Sequence, residues 1–234
     1  MTMRTQHLLV ATSLLLALGH ASRAEDAATT FSMPCAQVVK LGFEKFMDEY
    51  SKRTKDYSTA GQKQGYQRYA ECKRADNNRR MKSLPPLRQA QLTSIRRNLG
   101  QLEAACWGMQ YLASGGGTMW GQMAAASTAL REDYVSSLIG TLNKKQSPQP
   151  AARRKAVQLL TRSRMKLATL QKAPQHEYGP HDRAEQKKMH DRWWSEANIA
   201  LRQLQSVVAV LPDTTALQLT QRMESAISAV GEFE

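Results

Sequence analysis

Apolar residues recur three and four positions apart along nearly the whole chain, the spacing that places them on one face of an α-helix. No stretch alternates β-branched and polar residues in the manner of a β-strand. The sequence therefore predicts an all-α protein, an antiparallel bundle of six to seven helices with no sheet. The clearest apolar stripe consists of Leu92, Ile95, Leu99, Leu102, Cys106 and Met109.

Proline and glycine divide this pattern into segments. Pro34 precedes a first helix, a second covers Gln62 to Met81, and Pro85 and Pro86 begin a third, which the glycine run at 115–117 ends. A fourth helix follows the glycines. The residues expected to face inward in the first helix are Val39, Phe43, Phe46 and Tyr50. Those expected in the fourth helix are Met119, Met123, Leu130, Tyr134, Leu138 and Leu142. Those expected in the fifth helix are Val157, Leu160, Leu167 and Leu170.

Residues 143–150 hold two prolines and two lysines and predict a linker. It separates a helical bundle at 25–142 from C-terminal helices at 151–234, which we expect to pack on or beside that bundle. Asp182, followed three residues later by Glu185, predicts the cap of a long helix, and Pro212 ends that helix before the last one begins.

The first 24 residues have the organisation of an export signal. The apolar run Leu8 to Leu18 is too short to span a bilayer, and small residues three and one positions before Glu25 fit a cleavage site. We therefore expect a periplasmic or secreted protein that has no transmembrane segment once the signal is removed. The segment carries Arg4 and Arg23 and no acidic residue, so its loss lowers the formal net charge from +13 to +11.

Three cysteines, Cys35, Cys72 and Cys106, fall in the exported part of the chain. An oxidising compartment favours a disulfide between two of them and leaves one thiol. Spacing does not decide which two pair. The odd thiol is either buried as a small apolar residue or available to a partner.

No motif in the sequence assembles a catalytic centre. The glycine run lacks both the following lysine and the preceding strand of a phosphate-binding loop. His176, His181 and His190 do not follow the spacing of a zinc site, and Cys106 lies on a core stripe, where a nucleophile is not expected. We therefore predict a protein that is not an enzyme and that holds no metal and no cofactor.

Positive charge is the strongest functional signal. No acidic residue lies between Asp133 and Glu177, and the basic residues there predict a surface for an anionic envelope polymer or a protein partner. The set is Lys144, Lys145, Arg153, Arg154, Lys155, Arg162, Arg164 and Lys166. Aromatic residues do not interleave with these cations, so no nucleic acid is expected. The alternative is that the charge serves solubility alone.

Short segments between about residues 66 and 140 resemble the LprI-type family of lysozyme inhibitors. They are Tyr69-Ala70-Glu71-Cys72, Leu87-Arg88-Gln89-Ala90-Gln91, Glu103-Ala104-Ala105-Cys106, Ala113-Ser114-Gly115-Gly116-Gly117-Thr118-Met119 and Leu130-Arg131. The resemblance implies an exported helical protein that inhibits a peptidoglycan-cleaving enzyme of the lysozyme type. A further cysteine of the family pattern is replaced here in the region Ala126-Ser127. The segment Gly115 to Thr118 is then either a plain helix reversal or a loop that plugs a partner's cleft.

Two other classes of binding protein fit the same pattern. Gln91-Leu92-Thr93 and Leu219-Thr220-Gln221 resemble phrases of Spy-type periplasmic chaperones, which present basic, amphipathic cradles. The other class is an envelope-binding protein whose positive helix docks on anionic wall or membrane material. The sequence thus predicts an exported helical binding protein and leaves the partner open.

Overall fold

The computed structural model describes residues 31–114, 119–144, 147–172 and 182–230. These ranges form eight α-helices and one short 3-10 turn and contain no strand, so the prediction of an all-α bundle is confirmed. The helices are α1 Cys35–Leu41, α2 Phe43–Thr54, α3 Thr59–Met81, α4 Pro86–Ala113, α5 Trp120–Leu142, α6 Pro150–Thr169, α7 Arg183–Val210 and α8 Asp213–Ser228. No helix among the described residues is both long enough and apolar enough to cross a membrane.

The described residues form one more helix than the six to seven that the sequence pattern predicted, and a glycine accounts for the additional helix. Gly42 has φ 77°, a backbone conformation that favours glycine, and it separates α1 from α2. Both halves pack on α3. The apolar spacing from Val39 to Tyr50 therefore runs across the break and had indicated a single helix.

The closest helix pairs are not consecutive in the chain. The most extensive contacts join α4 to α7, α3 to α5 and α6 to α8. The α3 and α5 helices run in the same direction, since Gln62 meets Gln122 near their beginnings and Arg80 meets Ser136 further along. The α4 and α7 helices approach closely at Gly108, where the Trp193 ring occupies the space that a Cβ would need.

The helices share a large hydrophobic core and a smaller second one. The large core takes buried side chains from α4 to α8, including Ile95, Leu138, Leu204 and Leu219. The smaller one lies among α1, α2 and α3 around Phe46. Because residues on both sides of 143–150 enter the large core, α7 and α8 complete the same bundle as α4 and α5.

Three residues expected in the core are exposed instead, so those expectations were wrong. The exposed fractions are 59% for Met119, 42% for Leu130 and 54% for Val157. The α5 helix buries a different side, which carries Ala129 and Val135, because it packs along α3 as well as α4. The neighbouring side of α5 is therefore left without a helix to cover its apolar residues.

The cysteines resolve into one disulfide and one buried thiol. Cys35 of α1 is bonded to Cys72 of α3, with 4.9 Å between their Cα atoms. Cys106 faces the core, and burial, with a smaller contribution from Glu103, raises the pKa of its thiol to about 12. At neutral pH this thiol is protonated and behaves as a small apolar side chain.

Two neighbouring acidic residues on α5 fasten it to α3 and α4. The Glu132 carboxylate is fully buried, accepts a hydrogen bond from Asn77 Nδ2 at 3.1 Å, and lies 3.2 Å from Arg74 Nε and 3.3 Å from Arg96 Nη2. The adjacent Asp133 accepts a hydrogen bond of 2.7 Å from the Tyr69 hydroxyl. Burial, and then this hydrogen bond, raise the pKa of Tyr69. These contacts fix the register of α3 against α5.

Thiol titration tests the cysteine assignment. Without reductant, Ellman's reagent at pH 8 should find no reactive thiol in the folded protein and one per chain in urea, because Cys106 is buried with a raised pKa. A fast-reacting thiol in the folded protein, or three thiols in urea, would contradict the assignment.

Replacement of the buried carboxylate tests its structural role. Glu132→Gln leaves Arg74 and Arg96 without their counter-ion, and we expect it to lower the free energy of unfolding in urea by about 3 kcal/mol. Glu71→Gln, on an exposed position of α3, is the control and should change it by less than about 0.5 kcal/mol. Equal effects of the two variants would show that the contacts of Glu132 with Arg74 and Arg96 contribute nothing to the stability of the fold.

Candidate functional site

The α6 helix presents two different faces. Its core face consists of Ala156, Leu160, Ser163 and Leu167, all buried, at the spacing of successive helical turns. These residues seat α6 against α7 and α8. The opposite face is left to solvent, and it carries four of the eight basic residues that the sequence singled out.

An apolar stripe runs along this outer face. Val157, Thr161 and Met165 follow one another at intervals of four residues, and Met165 is 66% exposed. They border a shallow groove of about 530 Å³. Its walls are Val157, Gln158, Thr161, Arg162, Met165, Lys166 and Thr169. Val157 and Met165 are two exposed, large apolar side chains that border one groove, two helical turns apart, and they make this groove a candidate contact surface.

Four cations surround the stripe. Arg154 and Lys155 are exposed, and neither forms an ion pair with an acidic side chain of the described residues. Arg162 is largely exposed and lies 4.0 Å from Glu224 Oε1, and Arg164 donates a hydrogen bond to Gln205. We call the stripe and these four residues the cationic α6 face.

Two other members of the predicted set serve the fold. Arg153 donates hydrogen bonds to Asp213 Oδ1 at 2.8 Å and to the backbone carbonyls of Val208 and Leu211, so it fastens the turn between α7 and α8. The hydrogen bonds from Gln149 N and from Arg153 lower the pKa of Asp213. Lys166 donates to Ser228 Oγ at 2.6 Å and to Glu224 Oε1 at 3.3 Å.

The remaining candidates lie elsewhere. Lys144 is exposed just beyond the end of α5. Lys145 and the candidate partner loop, Gly115 to Thr118, fall outside the described residues, as do His176 and His181. In the described ranges, no three metal-binding side chains come together.

The cationic α6 face combines two kinds of attraction. Its guanidinium and ammonium groups attract anions over about a Debye length, roughly 8 Å at physiological salt. Its apolar stripe gains free energy only when a partner removes it from water. The surface is therefore suited to a partner that carries negative charge beside apolar groups.

Comparison of the chain with models of protein families, with curated proteins and with solved structures finds no match. The function of the chain is therefore inferred from its geometry and from the sequence resemblance.

The sequence pattern missed the apolar half of this face. The apolar spacing predicts a core position for Val157 together with Leu160 and makes no prediction for Met165. The sequence did contain a signal for this second face. Val157, Thr161 and Met165 are four residues apart, and this spacing places them on a different side of the helix from Leu160 and Leu167. Two stripes on one short helix indicate two contact surfaces.

Adjacent arginines allow the structural and exposed roles to be separated. Arg153→Ala removes donors from two carbonyls and from Asp213, and we expect the free energy of unfolding to fall by about 1–3 kcal/mol. Arg154→Ala should change it by less than about 0.5 kcal/mol. Urea denaturation of both variants measures this, and a larger loss for Arg154→Ala would reverse the assignment.

Proposed function

We propose that this chain is an exported binding protein, not an enzyme, and that its cationic α6 face docks on an anionic membrane surface of the cell envelope. The observation that carries the proposal is the exposed apolar stripe of Val157 and Met165 set among Arg154, Lys155 and Arg162. Amphipathic helices that bind membrane surfaces combine the same two features.

The apolar stripe favours a membrane surface over a hydrophilic polymer. A soluble polyanion would engage the arginines and leave Val157 and Met165 in water. At a membrane, these two side chains enter the boundary between head groups and acyl chains, while the cations remain at the level of the phosphates. Each cation near an anionic lipid surface contributes about 1 kcal/mol.

The compartment is supported by the disulfide. Cys35 and Cys72 join α1 to α3 in the smaller core, and such bonds form and persist in oxidising environments. An envelope location would place the cationic α6 face beside anionic lipid head groups. The high net charge of the chain favours the same encounter.

Two other functions are supported by the same face or by the sequence resemblance. A Spy-type chaperone would bind apolar segments of unfolded clients through the same cationic α6 face, and suppression of client aggregation in light scattering tests it. Inhibition of a lysozyme-type enzyme rests on the sequence resemblance, and a peptidoglycan-cleavage assay with the purified protein tests it. Membrane docking predicts no effect in either assay.

Vesicle sedimentation tests the proposed function. The oxidised protein should bind vesicles that contain anionic phosphatidylglycerol and not vesicles of phosphatidylcholine alone, and binding should fall steeply as salt rises. Arg154→Gln with Lys155→Gln should weaken binding by about thirtyfold, since two cations contribute about 1 kcal/mol each. Val157→Ser with Met165→Ser should weaken it although the charge is unchanged.

A matched control removes two cations elsewhere. Lys82→Gln with Lys188→Gln makes the same change of charge at exposed positions, one just after the end of α3 and one on α7. It should leave binding within about threefold of wild type. Equal losses in the two charge variants would mean that net charge, and not the cationic α6 face, governs the interaction. If the variant with Val157→Ser and Met165→Ser binds vesicles as tightly as wild type, the apolar stripe does not enter the membrane and the proposed docking is wrong.

A further inference from the structure

A second concavity lies between α4, α5 and α8, away from the outer face of α6. Its volume is about 280 Å³, just below the range of roughly 300 to 1,000 Å³ that is usual for small-molecule sites. Most of its wall is apolar and comes from Cys106, Trp107, Met123, Ala126 and Leu130. Leu130 is one of the residues that the sequence pattern wrongly assigned to the core.

The floor of this cavity carries excess positive charge. Glu103, only 3% exposed, accepts hydrogen bonds from Arg222 Nε at 2.9 Å, from Arg131 Nη1 at 2.9 Å and from Ser127 Oγ at 3.1 Å. Arg222 Nη2 lies 2.7 Å from the same carboxylate. One carboxylate is thus shared by two guanidinium groups, which leaves one positive charge without a counter-ion within this cluster.

Two groups in the cavity retain unused hydrogen-bonding capacity. Gln110 lines the cavity and is 2% exposed, yet no described residue forms a hydrogen bond with its side-chain amide. Arg222 also lines the cavity, and its Nη1 has no acceptor among the described residues. Because the Gln110 amide is reached from the cavity and bonds to no described side chain, it is available to a ligand there.

The remaining wall is uncharged. Burial raises the pKa of the Cys106 thiol to about 12, so the sulfur is an apolar contact at neutral pH. Trp107 adds a large aromatic surface. The cavity therefore joins an apolar body to a cationic, hydrogen-bonding end.

We infer that this cavity binds a small amphiphile with one negative charge, a carboxylate attached to an apolar chain. The carboxylate accepts hydrogen bonds from Arg222 Nη1 and from the Gln110 amide, and the chain lies against Trp107, Met123 and Leu130. A cationic amphiphile would be repelled by the uncompensated positive charge of the arginines. A neutral amphiphile would lose the charge-assisted hydrogen bonds. This site is independent of the cationic α6 face and does not require that face to dock on a membrane.

Calorimetric titration of the wild-type protein with three eight-carbon probes tests the inference. Octanoate should bind at one molecule per chain and at least about tenfold more tightly than 1-octanol or octylammonium, since hydrogen bonds to charged groups add about that factor. Equal affinity for octanoate and octanol would show an apolar cavity without anion recognition, and absence of octanoate binding would also overturn the inference.

Variants locate the binding. Arg222→Gln leaves Arg131 to neutralise Glu103, so octanoate affinity should fall to the level of octanol while octanol affinity stays unchanged. Ala126→Leu fills the cavity and should weaken octanoate binding at least about tenfold by steric exclusion. Ala124→Leu, an exposed position of the same helix outside the cavity, is the matched control. If Ala124→Leu matches Ala126→Leu, or if neither changes the affinity, the cavity is not the site.

Discussion

The structure depends on two carboxylates that arginines hold inside the helical bundle. Glu132 is fully buried and Glu103 nearly so, and each is held by two arginines from other helices. Removing a charge from water costs several kcal/mol, which these positions offset only when their partners are correctly placed. Arg74 and Arg96 must therefore approach from α3 and α4, and Arg222 from α8. The packing order of the bundle follows from those approaches.

That packing order leaves particular faces uncovered. The α5 helix lies along α3 and α4, so the side with Met119, Met123 and Leu130 borders a cavity and solvent. The α6 helix lies along α8, so Val157 and Met165 point to solvent. Both surfaces place apolar atoms beside arginines. One is a shallow groove on a helix suited to an extended surface, and the other is a pocket suited to a small molecule.

Much of the fold could be predicted from the sequence because helical periodicity is a local property. The stripe from Leu92 to Met109 is buried as its spacing indicated. The break at Gly42 could not be predicted from spacing, because the pattern of apolar positions continues across it. The exposure of Leu130 and Val157 depends on which helices pair, and that pairing is set by long-range contacts such as Glu132 with Arg74.

The candidate site shows the same division. Sequence alone located the basic segment around α6. Charge by itself did not separate Arg153, which fastens the turn between α7 and α8, from Arg154, which is exposed and forms no ion pair with an acidic side chain in the described part of the chain. Nor did it indicate the pair of arginines on Glu103, whose members are 28 and 119 residues away from it. The disulfide could not be predicted either, because the spacing of the three cysteines is compatible with all three possible pairings.

The proposed docking requires that the cationic α6 face, and no other apolar patch of the described residues, contacts the anionic membrane. Methyl NMR with vesicles that carry a nitroxide-labelled lipid tests it most directly, because two exposed methionines report on different faces. Met165 lies on the outer side of α6 and Met119 lies just before α5, with similar exposure. We expect selective broadening of the Met165 methyl signal on phosphatidylglycerol vesicles. Equal broadening of both signals, or broadening of Met119 alone, would contradict it.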